Sequence, residues 1–361
     1  MEKRLKVGII GCGGIANGKH MPSLKAIDKV DMVAFCDIIE ERAVKAAKEY
    51  GVEGAKVYTD YKELLKDETI DVVHVCTPNR AHADISIDAL HAGKHVMCEK
   101  PMAKTAADAR RMVEAAKETG KKLTIGYQHR HKVESTYLKN VINRGDLGDV
   151  YFAEAFAVRR RGTPNWGVFL KEYEQGGGPL IDIGTHSLDL TLWLMDNYKP
   201  KMVVGTTYKK LPNPDCANPW GPWDVNQHTV EDSAFGFIVM ENGATIILKA
   251  SWALNTIEPI PEGSTALCGT KAGAQIKNGV SINKDEFGHL VDIHPDMAAG
   301  GVAFYDGVEE TPAVTEARRW IDAILNDTDP LVKPEQACVV SEILEAIYTS
   351  AKTGKPVYFN D

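Results

Sequence analysis

The feature that most constrains this chain is the alternation in its first third. Short β-branched runs trade places with longer helical patterns, and a glycine turn follows the first run. Lys6–Ile10 reads as a strand, followed by Gly11-Cys12-Gly13-Gly14-Ile15-Ala16 and a helical pattern near Ile15–Ile27. Strand patterns recur at Asp31–Cys36, Asp71–Cys76, His95–Cys98 and Leu123–Ile125. Helical patterns lie between them near Glu40–Tyr50, Arg80–Ala92 and Ala106–Thr119. Strands joined through helices pair in parallel, so an α/β domain is expected, its sheet covered on both faces.

The glycine turn is a G-x-G-x-x-A pattern, weak alone but here placed after a strand and before a helix. Gly11 permits the tight turn. Gly13 lets the backbone approach a pyrophosphate, and Ala16 keeps the helix close to the strand. Gly14 and Ile15 complete the turn, where the unpaired N–H groups of a helix start meet phosphate. Asp37 ends the second strand, 21 positions after Ala16. A carboxylate there accepts hydrogen bonds from the adenosine ribose and repels a 2′-phosphate, so NAD is expected rather than NADP. Asp37 is also suited to cap the next helix. Thr77-Pro78-Asn79 follows another strand and faces the cofactor crevice, with Asn79 as a plain helix cap the alternative.

The pattern changes after Gly126. A helix near Glu134–Asn143 leads to strand-like Val150–Val158, a loop rich in Arg, Gly, Pro and Trp, and an apolar helix at Leu180–Met195. Strand-like runs follow at Met202–Tyr208, Ser233–Val239, Ala244–Trp252 and Thr265–Leu267, then helices near Val314–Leu325 and Pro334–Thr353. This reads as an α+β domain on a large, open, mostly antiparallel sheet. The expected division is 1–125 and 126–361, with the last helix free to pack back on the first domain. The chain's 361 residues suit two domains.

A net charge of −8 argues against a general nucleic-acid binder. The seven cysteines, Cys12, Cys36, Cys76, Cys98, Cys216, Cys268 and Cys338, form no C-x-x-C pair. Buried free thiols in a reducing cytoplasm are expected. The start, MEKRLKVGIIG, carries no leader pattern, and no apolar run approaches the roughly 20 residues of a membrane helix.

Gly93-Lys94-His95-Val96 runs on to Glu99-Lys100-Pro101, and Thr77-Pro78-Asn79 is followed by His82. With Gly177-Gly178-Pro179-Leu180-Ile181-Asp182-Ile183-Gly184-Thr185-His186 and the closing Tyr348–Lys355, these motifs resemble the glucose–fructose oxidoreductase, inositol dehydrogenase and rhizopine-catabolism (Gfo/Idh/MocA) family. The similarity spans nearly the whole chain. It implies a Rossmann domain binding NAD, a second domain on a large open sheet, an active site between them, and a homo-oligomer. His82 and Glu99 belong to the matched motifs and are implied at the nucleotide site. Gln128 and Arg130 stand where the family places contacts near cofactor and substrate. A structural carboxylate partner is the alternative for Arg130.

Hydride transfer from an alcohol needs a nicotinamide, a base and a group polarising the oxygen. Lys100 lies just past a strand's carboxyl end, and the charge of oxidised nicotinamide would lower its pKa. The resemblance implies that Lys100 holds the substrate oxygen or relays its proton, and that Lys100-Pro101 is a cis peptide. The alternative is a surface lysine before a helix-starting proline. Asp182 and His186 are four apart and share a helix face. His186 is the expected general base, with Asp182 as substrate holder and orienter. The plain alternatives are a helix-start charge and a packed core histidine. Asp189 either supports His186 or is merely exposed. No H-E-x-x-H or comparable spacing accompanies them, so no metal is expected.

Arg159 and Trp166 are expected in the substrate wall, since aromatic faces take the C–H face of a sugar. The run Arg159-Arg160-Arg161 also suits ion pairs or a subunit contact. The loop holding Trp220 and Trp223 could line the site, reach over a neighbouring subunit or fill a local core. The expected function is NAD-dependent, reversible oxidation of a secondary ring hydroxyl of a sugar, glycoside or inositol. The Arg/Trp loop looks most like family members that oxidise glycosides, often at C3. Two rivals are a redox-neutral, glycoside-cleaving enzyme working through a transient 3-keto intermediate and a non-catalytic NAD-binding regulator. A pure binder would not need Lys100, Asp182 and His186 together. No nucleic-acid or membrane partner is expected.

Overall fold

A computed structural model describes residues 4–211, 217–297 and 310–359. The described residues of Met1–His131 and Val308–Cys338 form one compact unit, and those of Lys132–Gly307 and Val339–Asp361 form another. The sequence reading placed the division near residue 126 and left the last helix free to pack back on the first domain; the segment that joins the first unit is 310–338, ahead of most of that helix.

The first unit holds β1 (Leu5–Ile10), β2 (Val30–Cys36), β3 (Lys56–Tyr58), β4 (Val72–Val75), β5 (His95–Cys98) and β6 (Leu123–Ile125). They form one six-stranded sheet in the order β3-β2-β1-β4-β5-β6, with every described pairing parallel. This strand order reverses at β1, which puts the carboxyl ends of β1 and β4 at a topological switch point. Ala317, Trp320 and Ile321 of the Pro312–Leu325 helix join the core built by β1 and β2 around Val7, Ile9, Met32 and Phe35. That apolar stripe, remote in sequence, is why 310–338 belongs to this unit. β3 and the short helix Tyr61–Leu65 were not foreseen; three and five residues are too few to show a period.

The second unit holds β7 (Val150–Val158), β8 (Pro200–Tyr208), β9 (Ser233–Met240), β10 (Thr245–Ser251), β11 (Ile260–Gly269), β12 (Ala272–Ile276), β13 (Val280–Glu286), β14 (His289–Ile293) and β15 (Val357–Tyr358). Its nine-stranded sheet runs β14-β13-β12-β11-β7-β10-β9-β8-β15. Only the β7–β10 pairing is parallel, so the sheet is mostly antiparallel, as expected. The helix Thr185–Met195 packs on β7 and β11, and every residue from Thr185 to Leu194 is buried. β12 to β15 escaped the sequence reading; β13 and β14 together carry more polar than apolar residues. No helix among the described residues is long and apolar enough to cross a membrane. Their six cysteines, all but Cys216, are free, and five are buried. Cys216 lies outside the described residues.

Candidate active site

In the first unit, Gly11 has φ +91°, and a Cβ there would sit 2.5 Å from the Cys76 carbonyl oxygen. Both facts demand glycine. No atom lies within 4 Å of the Cβ positions of Gly13 and Gly14, and Ile15 is exposed. The turn therefore faces open space in front of a helical stretch that starts with a π turn at Ala16–His20. Asp37 is buried. Its Oδ2 accepts the Cys12 N–H at 2.8 Å and its Oδ1 accepts the Ile39 N–H at 2.9 Å. The carboxylate thus fastens the glycine turn to the end of β2. It is not the cap of Glu40–Tyr50, whose capping position is Ile39. Each oxygen keeps a lone pair, which suits a ribose hydroxyl.

Thr77 and Pro78 lead from β4 into a 3-10 turn, Asn79–Ala81. The His82 ring is fully buried and spans two loops. Its Nε2 lies 2.9 Å from the Thr77 carbonyl and its Nδ1 2.8 Å from the Pro101 carbonyl. Burial lowers its pKa, while the two carbonyls work the other way. The Lys100-Pro101 bond is cis, as the resemblance implied, and Lys100 is half-buried.

Glu99 is buried within a charged cluster. Its Oε2 accepts the Lys100 N–H at 3.0 Å, and its Oε1 lies 2.8 Å from both Lys19 Nζ and His20 Nε2. Lys19 also reaches Glu316 at 2.8 Å, and His20 Nδ1 lies 2.9 Å from His74 Nδ1. Burial alone would raise the Glu99 pKa. The charge of Lys19 and the bond from His20 hold it well below the usual carboxylate range. Glu99 therefore backs the peptide that carries Lys100. Lys19, His20, His74 and Glu316 were not singled out from sequence, because their partners lie far along the chain. Gln128 is half-buried in the turn Gln128–His131. Arg130 is fully buried, with Nη1 on the Gln336 side chain at 2.6 Å and the Leu331 carbonyl at 3.3 Å. Those two bonds fasten this turn to the 331–336 stretch.

In the second unit, Asp182 sits in a π turn, Leu180–Gly184, closed by the Thr185 N–H to the Leu180 carbonyl. Wider turns of this kind concentrate at functional sites. His186 follows in the Thr185–Met195 helix and is buried. The Asp182 Oδ2 accepts the indole N–H of Trp252 at 2.9 Å, and Trp252 is fully buried. Asp189 is fully buried too, which removes the exposed alternative.

A cavity of about 370 Å³ is walled by Arg159, Ile183, Ile260 and Glu262, among others. A carboxylate oxygen of Glu262 lies within 4.8 Å of a ring nitrogen of His186. Arg159 pairs with Glu262 at 3.3 Å and stacks over the Trp220 ring at 5.5 Å. Trp166 is about half exposed and meets Trp220 edge-to-face at 4.9 Å. Arg161 bonds Asn255 at 2.8 Å. Trp223 fills a small core with Ile183 and Trp252, which settles one tryptophan of the second aromatic loop. Glu262 and Trp252 were missed from sequence; a glutamate between a proline and a glycine and a strand-end tryptophan carry no spacing signal.

Residues 5–127 match the oxidoreductase family with an NAD-binding Rossmann fold, and residues 136–275 match the Gfo/Idh/MocA C-terminal domain. The D-glucoside 3-dehydrogenase of Escherichia coli K12 is 34% identical over 98% of this chain and 97% of its own length. The inositol 2-dehydrogenase of Salmonella paratyphi B is 36% identical over 54% of this chain and 56% of its own. A levoglucosan dehydrogenase in complex with NADH and levoglucosan superposes with a TM-score of 0.83 at 21% identity, covering 99% of this chain and all of that one. GenD2 from gentamicin A biosynthesis, in complex with NAD, superposes with a TM-score of 0.78 at 27% identity, covering 100% and 98% of the two chains.

The fold and the matched motifs define a two-part, NAD-binding oxidoreductase. This chain belongs to the Gfo/Idh/MocA family.

Proposed function

We propose that this protein oxidises a secondary ring hydroxyl of a neutral glycoside, at C3, to the ketone. The observation that carries the reading is the cavity beside Asp182 and His186, where Arg159 and Glu262 cancel each other's charge. Such a wall offers donors and acceptors for hydroxyl groups without favouring an anion or a cation. The similarity to a D-glucoside 3-dehydrogenase along 98% of the chain supports glycoside and C3.

The nucleotide site fits NAD: open space fronts Gly13 and Gly14, and the Asp37 carboxylate keeps acceptor capacity for ribose hydroxyls. Bound NAD supplies the acceptor for the hydride leaving the carbinol carbon. Thr77, Pro78, Asn79 and Gln128 would hold its nicotinamide half. Lys100 Nζ steadies the hydroxyl oxygen as charge develops on it. His186 takes the hydroxyl proton on a ring nitrogen, and Asp182 holds a neighbouring hydroxyl. Trp166 and Arg159 line the way to the aglycone side.

We also propose a homo-oligomer formed through the outer face of the nine-stranded sheet. That face carries exposed Val204 and Phe237 and partly exposed Phe235, Ile247 and Phe156, and size-exclusion chromatography with light scattering tests it. Reduced cysteines support a cytoplasmic setting.

The test is NADH formation at 340 nm over monosaccharides, inositols and glycosides, with NMR of the product. A 3-keto glycoside is expected, and no NAD reduction with any of them would overturn the proposal. Lys100→Met and His186→Ala should each abolish turnover with NAD affinity kept. The double variant should lose no more than the worse single one, because both act on one hydroxyl.

A further inference from the structure

Gly176-Gly177-Gly178 stands directly ahead of the turn that carries Asp182, and the chemistry above leaves it unexplained. A half-buried pair, Glu231 and Tyr348, accounts for it. A Cβ at position 177 would lie 2.0 Å from the Tyr348 phenolic oxygen, and one at 178 would lie 2.3 Å from the Glu231 carbonyl oxygen. The Glu231 carboxylate accepts three bonds. They come from the Gly178 N–H at 2.9 Å, the Leu180 N–H at 3.2 Å and the Tyr348 O–H at 2.7 Å. The Gly178 carbonyl in turn accepts the Asp182 N–H at 2.9 Å. On the other side, the Asp232 carbonyl accepts the backbone N–H of Trp252 at 3.0 Å, and the Trp252 indole donates to Asp182. Residues 231 and 232 therefore grip the backbone of Asp182 and the donor to its side chain.

We infer that Glu231 and Tyr348 are positioning residues that set the orientation of Asp182 and His186 through the triglycine segment, without touching substrate. This rests on the functional reading above. The groups facing Glu231 are Tyr348, which also feels Glu172, and the adjacent Asp232, occupied by the N–H groups of Lys210 and Leu211 and the Ser233 hydroxyl. All three partners of Glu231 donate to it, an arrangement that favours the ionised carboxylate. A protonated Glu231 could be accommodated only by donating to the Tyr348 oxygen, which turns the phenol O–H away from the carboxyl, and the segment would loosen. Burial holds the Glu231 pKa above the ordinary range, which brings this event closer to neutral pH. Removing the Tyr348 hydroxyl takes away a bond that favours the anion and should raise it further.

The experiment compares kcat against pH for the full-length protein, Tyr348→Phe and Glu231→Gln, with amide hydrogen exchange read across residues 176–186. Tyr348→Phe should move the acid limb of kcat to higher pH and leave the KM for NAD unchanged. Glu231→Gln should lower kcat roughly tenfold and flatten that limb. Exchange should rise in 176–186 in both variants, and in the parent on acidification. A wild-type acid limb and unchanged exchange in Tyr348→Phe would overturn the inference, and this variant keeps its ring, so it serves if Glu231→Gln does not fold. If the parent oxidises no pyranose, the functional reading falls, while exchange still decides whether this pair holds the segment.

Discussion

Trp252 donates its indole N–H to the Asp182 Oδ2 at 2.9 Å from a fully buried position at the end of β10. The bond pins one oxygen of the proposed substrate-holding carboxylate to the rigid sheet. A carboxylate that accepts such a bond keeps its other oxygen aimed in one direction.

Trp252→Phe should therefore lower kcat/KM roughly tenfold, about 1.4 kcal/mol of transition-state stabilisation, with the fold retained. Steady-state kinetics with circular dichroism checks this. Full activity in a folded variant would show that Asp182 needs no such anchor.

Asp37→Ala should lower the preference for NAD over NADP roughly tenfold, because the ribose loses a charged acceptor. It should also weaken NAD binding beyond that loss, since the Cys12 N–H is released and the glycine turn loosens. Dissociation constants for both nucleotides measure it. An unchanged ratio would remove Asp37 from ribose recognition.

Trp166→Ala should raise the KM for a two-ring glycoside roughly tenfold and leave a free monosaccharide nearly unaffected. Trp166 stands half exposed against Trp220, outside the cavity wall formed by Arg159 and Glu262. Equal losses on both substrates would move it from specificity to local structure.

Lys19→Met should destabilise the protein by about 3–5 kcal/mol, since it leaves Glu99 and Glu316 buried without their shared cation. Both carboxyls would then have folded pKa values above their unfolded ones. Stability would be greatest at acid pH and fall as pH rises, so the deficit should be larger at pH 7.5 than at pH 5. Urea unfolding at the two pH values tests the sign. A deficit that shrinks with rising pH would contradict it.

Burial lowers the pKa of four histidines: His82, His74 well below its ordinary value, His131 to about 3 and His228 to about 4. The unfolded chain takes up protons below about pH 6.5 while these rings stay neutral in the fold. Their contribution is complete above that pH and is lost as pH falls towards 4, at up to about 1.4 kcal/mol per pH unit for each ring. Glu231 and Glu316, raised by burial, act in the opposite sense. The clean measurement is thus a difference. His228→Asn should reduce the pH slope of Tm between 6.5 and 4.5, and an identical slope would refute the assignment.

Much of the first unit was legible because its signals are local. The glycine turn needs only Gly11 and its neighbours, and the strand–helix alternation repeats within short windows. The Lys100-Pro101 motif and the Asp182/His186 spacing were visible for the same reason. Arg130 shows the limit: nothing near it in sequence pointed to the Gln336 side chain and the Leu331 carbonyl, about two hundred positions away, that its Nη1 meets. Glu262 and Trp252 show it again, since each gains meaning only from a residue on another element, His186 or Asp182.

By itself, the sequence determined the parallel nucleotide-binding sheet, the family and the residues with chemical capacity. Hydrophobic period, turn chemistry and motif spacing all act over a few residues. Tertiary structure decided which charges are buried together around Glu99, which donor holds Asp182, and why Gly177 and Gly178 carry no side chain. Those are long-range facts. They depend on strand register and on where distant helices pack, and a buried charge or a missing Cβ has consequences only once the neighbour across the sheet is in place.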